Sequence, residues 1–414
     1  MGKAKGTYNH KKTAIQLIIL FGLVSLFGDI VYEASRGVNG PYLKILGANA
    51  IIVGLVAGIG EFIGYAIRLF SGYFADRTKA YWLFTFLGYG MLISVPLLSL
   101  IGVWQLATFF IILERVGKAL RSPAKDTILS QATQQIGTGV GFGISEVMDQ
   151  IGAITGPLIF AGLFLFLGPK EKILADYQHG YRLLWIPFAL VMLCVTIAYR
   201  RVPSPEYLET SIKKTEGPDK LTKIFWLYTI FSFVATLGFA NFALMGYHFK
   251  AQHILADAQI PLFYAIAMAV DAVVALLIGK AYDVFKNKNN NDKEGLVTLI
   301  TIPLFSLFIP ILAFSKSYYM AVASVILWGV VMGAHETIMK SAIADLTPLN
   351  KRGTAYGIFN TSYGFAILAG SSLMGLLYEK SLYLLIIGAM AVEILAIPIF
   401  FVMRRETLVG PMRT

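Results

Sequence analysis

Apolar residues occur along the chain in twelve long runs that short polar segments separate. Each run is continuously apolar and about as long as the roughly 20 helical residues that cross the hydrocarbon core of a membrane. Barrel strands would alternate apolar and polar residues, so the pattern predicts transmembrane helices. The predicted spans cover residues 13–40, 48–75, 81–102, 104–124, 139–167, 181–200, 221–247, 259–282, 295–314, 318–344, 353–378 and 382–403.

A glycine and aspartate signature occurs twice, about half a chain apart. Gly72 and Asp76 end the second run, and Gly279 and Asp283 end the eighth run. Glycines of the fifth run recur in the eleventh run at nearly the same offset. Such an internal duplication in an apolar chain is typical of transporters that are built from two similar helical bundles.

A polar, proline-containing segment separates the sixth run from the seventh. We therefore expect an all-α membrane protein with twelve transmembrane helices in two pseudo-symmetric six-helix bundles. The first bundle is expected at residues 1–200 and the second at residues 221–414, joined by a cytoplasmic linker at 201–220.

Composition and charge agree with a membrane protein. Hydrophobic residues make up 57% of the 414 residues and charged residues only 14%, against about 25% in soluble domains. The net charge is +11, but Lys and Arg concentrate in alternate loops and in both tails. This positive-inside pattern predicts cytoplasmic termini and a multi-pass protein of the cell inner membrane. The basic charge is thus expected to contact anionic lipid heads, with no nucleic-acid partner.

The loop after the second predicted span carries the motif Gly72-x-x-x-Asp76-Arg77. Together with twelve spans in two similar halves, this motif resembles the major facilitator superfamily, and the resemblance covers nearly the whole chain. It implies two bundles that alternate access to a central site. The basic residue that usually ends the loop motif is displaced here to Lys79. Asp76 is expected to hold the halves together, and Arg77 or Lys79 to pair with Asp126.

The fifth predicted span contains Gly143, Gly152 and Gly156-Pro157. This spacing resembles the antiporter signature of the same superfamily, although the final glycine pair of that signature is missing. The resemblance implies export by antiport, because the signature is found mainly in exporters. A proline bends a helix and glycines let a neighbouring helix approach closely, so these residues are expected to shape the conformational change. Ordinary small-residue packing is the alternative.

Two further motifs resemble a prokaryotic branch of the superfamily that has no agreed substrate. They are Asp29-Ile-x-x-Glu33 and Arg115-x-Gly-Lys118-x-x-Arg121-Ser-Pro-x-Lys125-Asp126. Residues that are expected to take part in the conformational change, besides those of the fifth span, are Gly72, Asp76, Arg77, Arg121, Asp126, Gly279 and Asp283.

Nine ionisable residues of the first half are expected inside the membrane. The acids are Asp29, Glu33, Glu61, Glu114, Glu146 and Asp149, and the bases are Arg36, Arg68 and Arg115. A charge at mid-membrane costs roughly 2.5–3.5 kcal/mol, so these side chains must pair or line a wet cavity. If each of the three bases pairs with one acid, three acids remain unpaired. Burial raises the pKa of an unpaired carboxylate. Such acids could carry protons or bind a cationic substrate, or the set could be static salt bridges.

The second half has fewer candidates for a binding site. Its charged and titratable candidates are Asp271, His335, Glu336 and Glu393, and polar groups from both halves that we expect in the pocket are Tyr32, Asn241 and Asn360. Met339 stands where a zinc-protease motif needs its second histidine, so no metal site is expected. The chain also lacks the Gly-x-x-x-x-Gly-Lys-Ser/Thr loop that binds ATP, so we expect no cofactor.

The sequence predicts a monomeric secondary active transporter with alternating access, not an enzyme. The favoured mode is proton-coupled antiport that exports a small organic solute, cationic or amphiphilic, with Arg115 changing partners between states. Proton-driven uptake and metal-ion export are alternatives, the latter because clustered carboxylates suit hard cations. A lipid translocase or a receptor is the alternative outside solute transport.

Overall fold

A computed structural model of the chain describes residues 2–133, 138–205, 221–288, 294–347 and 352–408, and all regular structure in these ranges is helical. The α-helices in chain order are α1 (Gly2–Ile45), α2 (Ala50–Thr78), α3 (Tyr81–Gly90), α4 (Ser94–Leu97), α5 (Trp104–Thr133), α6 (Thr138–Phe166), α7 (Leu174–Leu183), α8 (Trp185–Arg201), α9 (Lys223–Gly238), α10 (Phe242–Ala251), α11 (Gln259–Lys288), α12 (Thr301–Ser306), α13 (Ile309–Ala313), α14 (Tyr318–Leu346), α15 (Arg352–Lys380) and α16 (Leu382–Leu408). Three 3-10 segments join them, at Met91–Ile93, Leu98–Leu100 and Glu294–Ile300.

All twelve predicted spans overlap helical segments. By length and composition, 10 helical stretches of the described residues are able to cross a membrane. The helices α5 and α15 are not among them. Helix α5 carries Glu114, Arg115 and Lys118 within four residues of one another, which lowers its mean hydropathy. An all-helical, multi-pass fold is therefore confirmed, while the count of twelve stays a prediction.

The seventh predicted span is not one helix. Helix α9 ends at Gly238 and α10 begins at Phe242, with extended backbone at Phe239 and Asn241. The side-chain oxygen of Asn241 accepts a hydrogen bond of 2.8 Å from the amide of Ala243, so it caps the new helix. Trp328 donates from Nε1 to the carbonyl of Ala240 at 3.0 Å. Each contact gives a hydrogen-bond partner to a backbone group that the helix break would otherwise leave unpaired in an apolar medium.

The helices cluster into two units. Unit 1 comprises Met1–Gly47, Ile63–Lys213 and Asp257–Ala265, and unit 2 comprises Ala48–Phe62, Lys214–Ala256 and Ile266–Thr414. The predicted linker 201–220 lies mostly outside the described residues, so the division at that linker stays a prediction.

The same packing order occurs inside each unit. In unit 1 the first span, α1, packs against the fifth and sixth spans, formed by α6 and by α7 with α8. In unit 2 the seventh span, through α9, packs against the eleventh and twelfth spans, α15 and α16. Equivalent spans of the two halves thus have equivalent neighbours, as an internal duplication would produce.

Glycines set the closest helix contact between α3 and α5. A Cβ atom on Gly88 would lie 2.6 Å from the carbonyl oxygen of Gly117 and 2.5 Å from Cβ of Arg121. A Cβ atom on Gly117 would lie 2.8 Å from the carbonyl oxygen of Gly88. Both positions therefore exclude any side chain, and this contact brings the polar part of α5 against α3.

We expect Gly88→Ala to destabilise the protein, because its Cβ meets backbone that cannot give way, and overpacking typically costs about 1–3 kcal/mol. Gly90→Ala on the same helix is the matched control, since nothing lies within 4 Å of its Cβ position. Its helix-propensity gain should leave stability equal or higher. Thermal unfolding of the purified proteins in detergent measures the difference, and equal melting temperatures for both variants would contradict the packing argument.

Candidate functional site

Three cations surround one buried tyrosine ring in unit 1. The ring is Tyr32 of α1, and the nearest cation is Lys118 of α5, whose Nζ lies 3.7 Å from the ring centroid. The guanidinium carbons of Arg115 and Arg36 lie 4.6 Å and 5.8 Å from that centroid. Arg115 also donates a hydrogen bond to the Tyr32 hydroxyl. Each cation over the ring face gains about 0.5–2 kcal/mol from the ring quadrupole, which offsets part of their mutual repulsion.

Glu33 is held by two partners next to this ring. It is only 7% exposed, and its Oε2 accepts a hydrogen bond of 2.5 Å from the hydroxyl of Tyr264. Its Oε1 lies 3.5 Å from Nη1 of Arg36, one helical turn away. Tyr264 stands at the start of α11, and its ring occupies the space beside Gly37 of α1, where a Cβ would come within 2.9 Å. Glu33 therefore has a fixed place between a cation and a phenol.

Glu114 is the buried partner of two arginines. It is 4% exposed, and its carboxylate lies 3.4 Å from Nη2 of Arg121 and 3.7 Å from Nε of Arg115. Arg121 also stacks against Tyr89, with its guanidinium carbon 5.0 Å from the ring centroid. Arg121 therefore belongs to an interior ion-pair network, while the sequence pointed to a conformational role for it.

A third set of contacts joins α1, α5 and α6. Lys125 lies 3.9 Å from the carboxylate of Asp149 and donates a hydrogen bond of 2.9 Å to the hydroxyl of Ser25. The hydroxyls of Ser25 and Ser145 lie 3.2 Å apart. One lysine thus links the three helices through polar atoms.

Asp29 differs from the other acids of this network. It interacts electrostatically with Asp149, Lys118, Glu33 and Lys125, which surround it from α1, α5 and α6. Within the residues that the structure describes, its carboxylate makes no hydrogen bond and has no cation within 4 Å. Two carboxylates and two lysines therefore act on Asp29 from beyond direct contact.

The glycines of the fifth span bring α6 against α1 at this point. A Cβ on Gly152 would lie 2.6 Å from the carbonyl oxygen of Leu26 and 3.0 Å from Cβ of Asp29. A Cβ on Gly156 would lie 2.6 Å from the carbonyl oxygen of Ile30. Gly143 has open space at its Cβ position. Two of the three predicted glycines, followed by Pro157 inside α6, therefore act at the helix contact that carries Asp29.

Arg68 adds another cation from α2. Its guanidinium carbon lies 4.8 Å from the ring centroid of Tyr65, and it interacts electrostatically with Lys118. Its Nε is buried without a hydrogen-bond partner in the described part of the chain. Arg68 and Lys118 are thus two cations whose nearest described partners are aromatic rings.

The predicted surplus of acids is wrong for this network. Its described members are the acids Asp29, Glu33, Glu114 and Asp149, with the exposed Asp126 acting on Lys125, and the six bases Arg36, Arg68, Arg115, Lys118, Arg121 and Lys125. Glu146 is exposed, and Glu61 belongs to unit 2. Cations therefore outnumber carboxylates here.

The error has a geometric reason. Lys118 and Arg121 lie within the predicted span 104–124 but were not expected inside the membrane, and Lys125 lies beyond that span on helix α5, which continues to Thr133. Arg115, Lys118 and Lys125 are three and seven residues apart, so they share one face of this helix. In the sequence these residues form a motif at the end of a span. Their helical spacing is the feature from which their interior position could have been predicted.

The remaining interior candidates lie in unit 2, where they form no comparable network of charges among the described residues. His335 is 1% exposed and lies between the rings of Phe239 and Tyr363, with centroid distances of 5.7 Å and 5.9 Å. Neither of its ring nitrogens has a hydrogen-bond partner in the described residues. Asp271 is buried, and Glu336 and Asn360 are half-buried. No group of three metal-ligating side chains occurs in the described ranges.

Glu393 of α16 is a second buried acid of unit 2. It is 0% exposed, and its Oε1 accepts a hydrogen bond of 2.6 Å from Ser306. It touches the end of α9, where a Cβ on Gly238 would lie 2.8 Å from that oxygen. The sequence did not indicate that Glu393 lies beside the break between α9 and α10, because that contact depends on how the helices pack.

The loop residues with a predicted conformational role are mostly exposed. Asp76 accepts a hydrogen bond of 3.1 Å from the hydroxyl of Tyr81, and Arg77 donates to the hydroxyl of Tyr73 at 3.4 Å. A Cβ on Gly72 would lie 3.4 Å from Pro123. The predicted pair of Arg77 or Lys79 with Asp126 stays a prediction. In the second half, Gly279 packs near Thr337 and Asp283 is exposed.

Comparisons with known proteins agree with this architecture. A model of the Major Facilitator Superfamily (MFS) matches residues 19–371 and 292–411. An uncharacterized protein of Mycobacterium tuberculosis is 36% identical over 398 residues, or 95% of this chain and 94% of that protein. An uncharacterized MFS-type transporter of Methanocaldococcus jannaschii is 28% identical over 383 residues, or 88% of this chain and 89% of that protein.

Solved structures share the fold at low sequence identity. A bacterial homolog of the human lysosomal transporter Spinster, in an inward-facing and occupied conformation, has a TM-score of 0.70 at 14% identity. The match covers 94% of this chain and 96% of that chain. At this identity the likeness shows the fold alone.

We expect Glu114→Gln to destabilise the protein strongly, because it leaves Arg115 and Arg121 buried without their shared counterion. Removal of one partner from a buried ion pair costs about 3–5 kcal/mol. Glu406→Gln is the matched control, since its partner Lys223 is largely exposed and such pairs contribute roughly 0–1 kcal/mol. Thermal unfolding in detergent compares the variants. A Glu114→Gln protein as stable as the Glu406→Gln protein would show that the pair contributes nothing to stability.

Proposed function

This chain belongs to the major facilitator superfamily, and we propose that it is a proton-coupled secondary transporter of a small organic solute. Family membership supports membrane transport over catalysis. The proposal includes twelve spans in two six-helix bundles, residues 1–200 and 221–414 with the linker 201–220, that give alternating access to the solute. It also includes a monomer in the cell inner membrane with both termini in the cytoplasm.

The observation that carries proton coupling is the position of Asp29. Glu33, Glu114 and Asp149 each have a cation within 4 Å, whereas Asp29 has none among the described residues. A carboxylate inside the membrane without a direct counterion exchanges a proton more readily than one locked in a salt bridge. Asp29 is therefore the group that we assign to proton binding.

Protonation of Asp29 would change the attraction between helices. Its carboxylate interacts with Lys118 and Lys125 of α5 and repels Asp149 of α6. A proton on Asp29 cancels the attraction to α5 and the repulsion from α6 together. Since α1 packs against both helices, the proton would bias their packing, which is the differential interaction that any ligand-driven conformational change requires.

Export by proton antiport is one mode of coupling, as the sequence motif of the fifth span implies. The contacts of Gly152 and Gly156 with α1 favour it, because they place the antiporter-like helix directly against Asp29. In this mode a proton and the solute would occupy the protein in turn.

Uptake together with a proton is the second candidate mode. Lys118 and Arg68, which have no carboxylate within 4 Å among the described residues, favour it. In this mode protonation of Asp29 would release Lys118 to bind a negatively charged group of the solute.

We expect Asp29→Asn to abolish proton movement that is coupled to solute, since asparagine cannot take up a proton. Proteoliposomes with a pH-sensitive dye in the lumen, given a panel of organic solutes from outside, measure this movement. Glu406→Gln, in the exposed pair with Lys223, should behave as the wild type. Solute exchange without a pH gradient should survive in Asp29→Asn and thereby report folding.

The sign of the dye signal separates the two modes. Antiport makes the lumen alkaline as solute enters, and cotransport makes it acidic. Wild-type coupling in the Asp29→Asn protein would remove Asp29 from the mechanism. Absence of solute flux from wild-type proteoliposomes would instead favour a lipid translocase or a receptor.

A further inference from the structure

We propose that the transported solute carries an anionic group, a carboxylate or a phosphate, which binds to Lys118 and Arg68 beside the ring of Tyr32. The proposal rests on the proposed transport function and names the class of substrate for the same site. It replaces the cationic or amphiphilic solute that the sequence suggested.

The first argument is the charge of the site. The cations of the described network outnumber its carboxylates, and the surplus is located at Lys118 and Arg68. A positively charged site attracts negatively charged solutes and repels organic cations. A cationic solute bound beside these two residues would be repelled by both.

The second argument is what the other cations already bind. Arg36 pairs with Glu33, Arg121 and Arg115 pair with Glu114, and Lys125 pairs with Asp149. Those four cations have carboxylates within 4 Å and gain little from another anion. Lys118 and Arg68 have aromatic rings as their direct described neighbours, and Asp29 and Glu33 act on Lys118 only from beyond 4 Å, so both cations are able to bind a ligand.

The third argument is the chemistry of these two side chains. An ammonium group with three donors and a planar guanidinium fork both form charge-assisted hydrogen bonds to carboxylate and phosphate oxygens. Arg68 and Lys118 repel each other, so one anionic group bound by both would offset that repulsion. Both side chains are partly exposed, as a solute would require.

Asp29 competes with such an anion for Lys118. Lys118 and Lys125 both attract the Asp29 carboxylate, while Asp149 and Glu33 repel it. Protonation of Asp29 removes the competitor, so a proton and the anion would bind together. The inference therefore selects cotransport from the two modes of coupling.

A binding assay on detergent-purified protein tests the inference without any gradient. The probes are a panel of organic carboxylates and phosphomonoesters, each with the uncharged amide or the amine of the same carbon skeleton. Thermal stabilisation at low ionic strength gives the apparent Kd for each probe. We expect stabilisation by carboxylates or by phosphomonoesters, and none by the matched amides and amines.

Three variants locate the site. Lys118→Met and Arg68→Gln should each weaken binding of the stabilising anion at least tenfold. Asp29→Asn should tighten it or remove its dependence on pH, because the competing carboxylate is gone. Lys44→Met, at the end of the same helix that carries Asp29, is the control and should bind within twofold of the wild type.

Stabilisation by the amines, lack of stabilisation by every anion, or unchanged anion binding in Lys118→Met would each overturn the inference. Weaker anion binding in Asp29→Asn would overturn the competition. Anion binding without flux in proteoliposomes would leave the anion site standing and refute the transport proposal, so the two failures are distinguishable.

Discussion

A charged side chain inside a membrane costs several kcal/mol unless opposite charge or water is within reach. Unit 1 contains many such side chains, and its packing follows from the ways in which their charge is compensated. Glu33 and Glu114 bind cations of their own helices, α1 and α5, while Asp149 of α6 binds Lys125 of α5 and so links those two helices. Removal of one of these carboxylates would take a direct counterion from a cation inside the membrane, which is costly.

Aromatic rings supply the rest of the compensation. Tyr32 lies among Lys118, Arg115 and Arg36, and Tyr65 and Tyr89 each lie beside one arginine. A ring face attracts a cation but leaves its hydrogen-bond donors unused, whereas a carboxylate occupies them. One network can therefore contain both cations that are paired with carboxylates and two cations that are able to bind a ligand.

Unit 2 is built around a different constraint. The break between α9 and α10 exposes backbone groups, and Asn241 and Trp328 satisfy two of them. The titratable groups beside the break, Glu393 and His335, lie among Ser306 and aromatic rings without a salt bridge in the described residues. Among the described residues, the interior charge network is thus in unit 1, while unit 2 contains a helix break whose backbone groups bind polar side chains.

The sequence by itself determined the helical, multi-pass architecture and the family, because long apolar runs and a repeated motif are local properties of the chain. It also identified nine ionisable residues of the first half, including Asp29 and Glu33. It could not determine the charge balance, since that depends on which face of α5 meets α1. Only the tertiary structure showed that Lys118 lies over Tyr32, that Glu146 is exposed and that Asp29 has no cation within 4 Å among the described residues. The physical reason is that helix packing decides which charges lie within a few ångströms of each other.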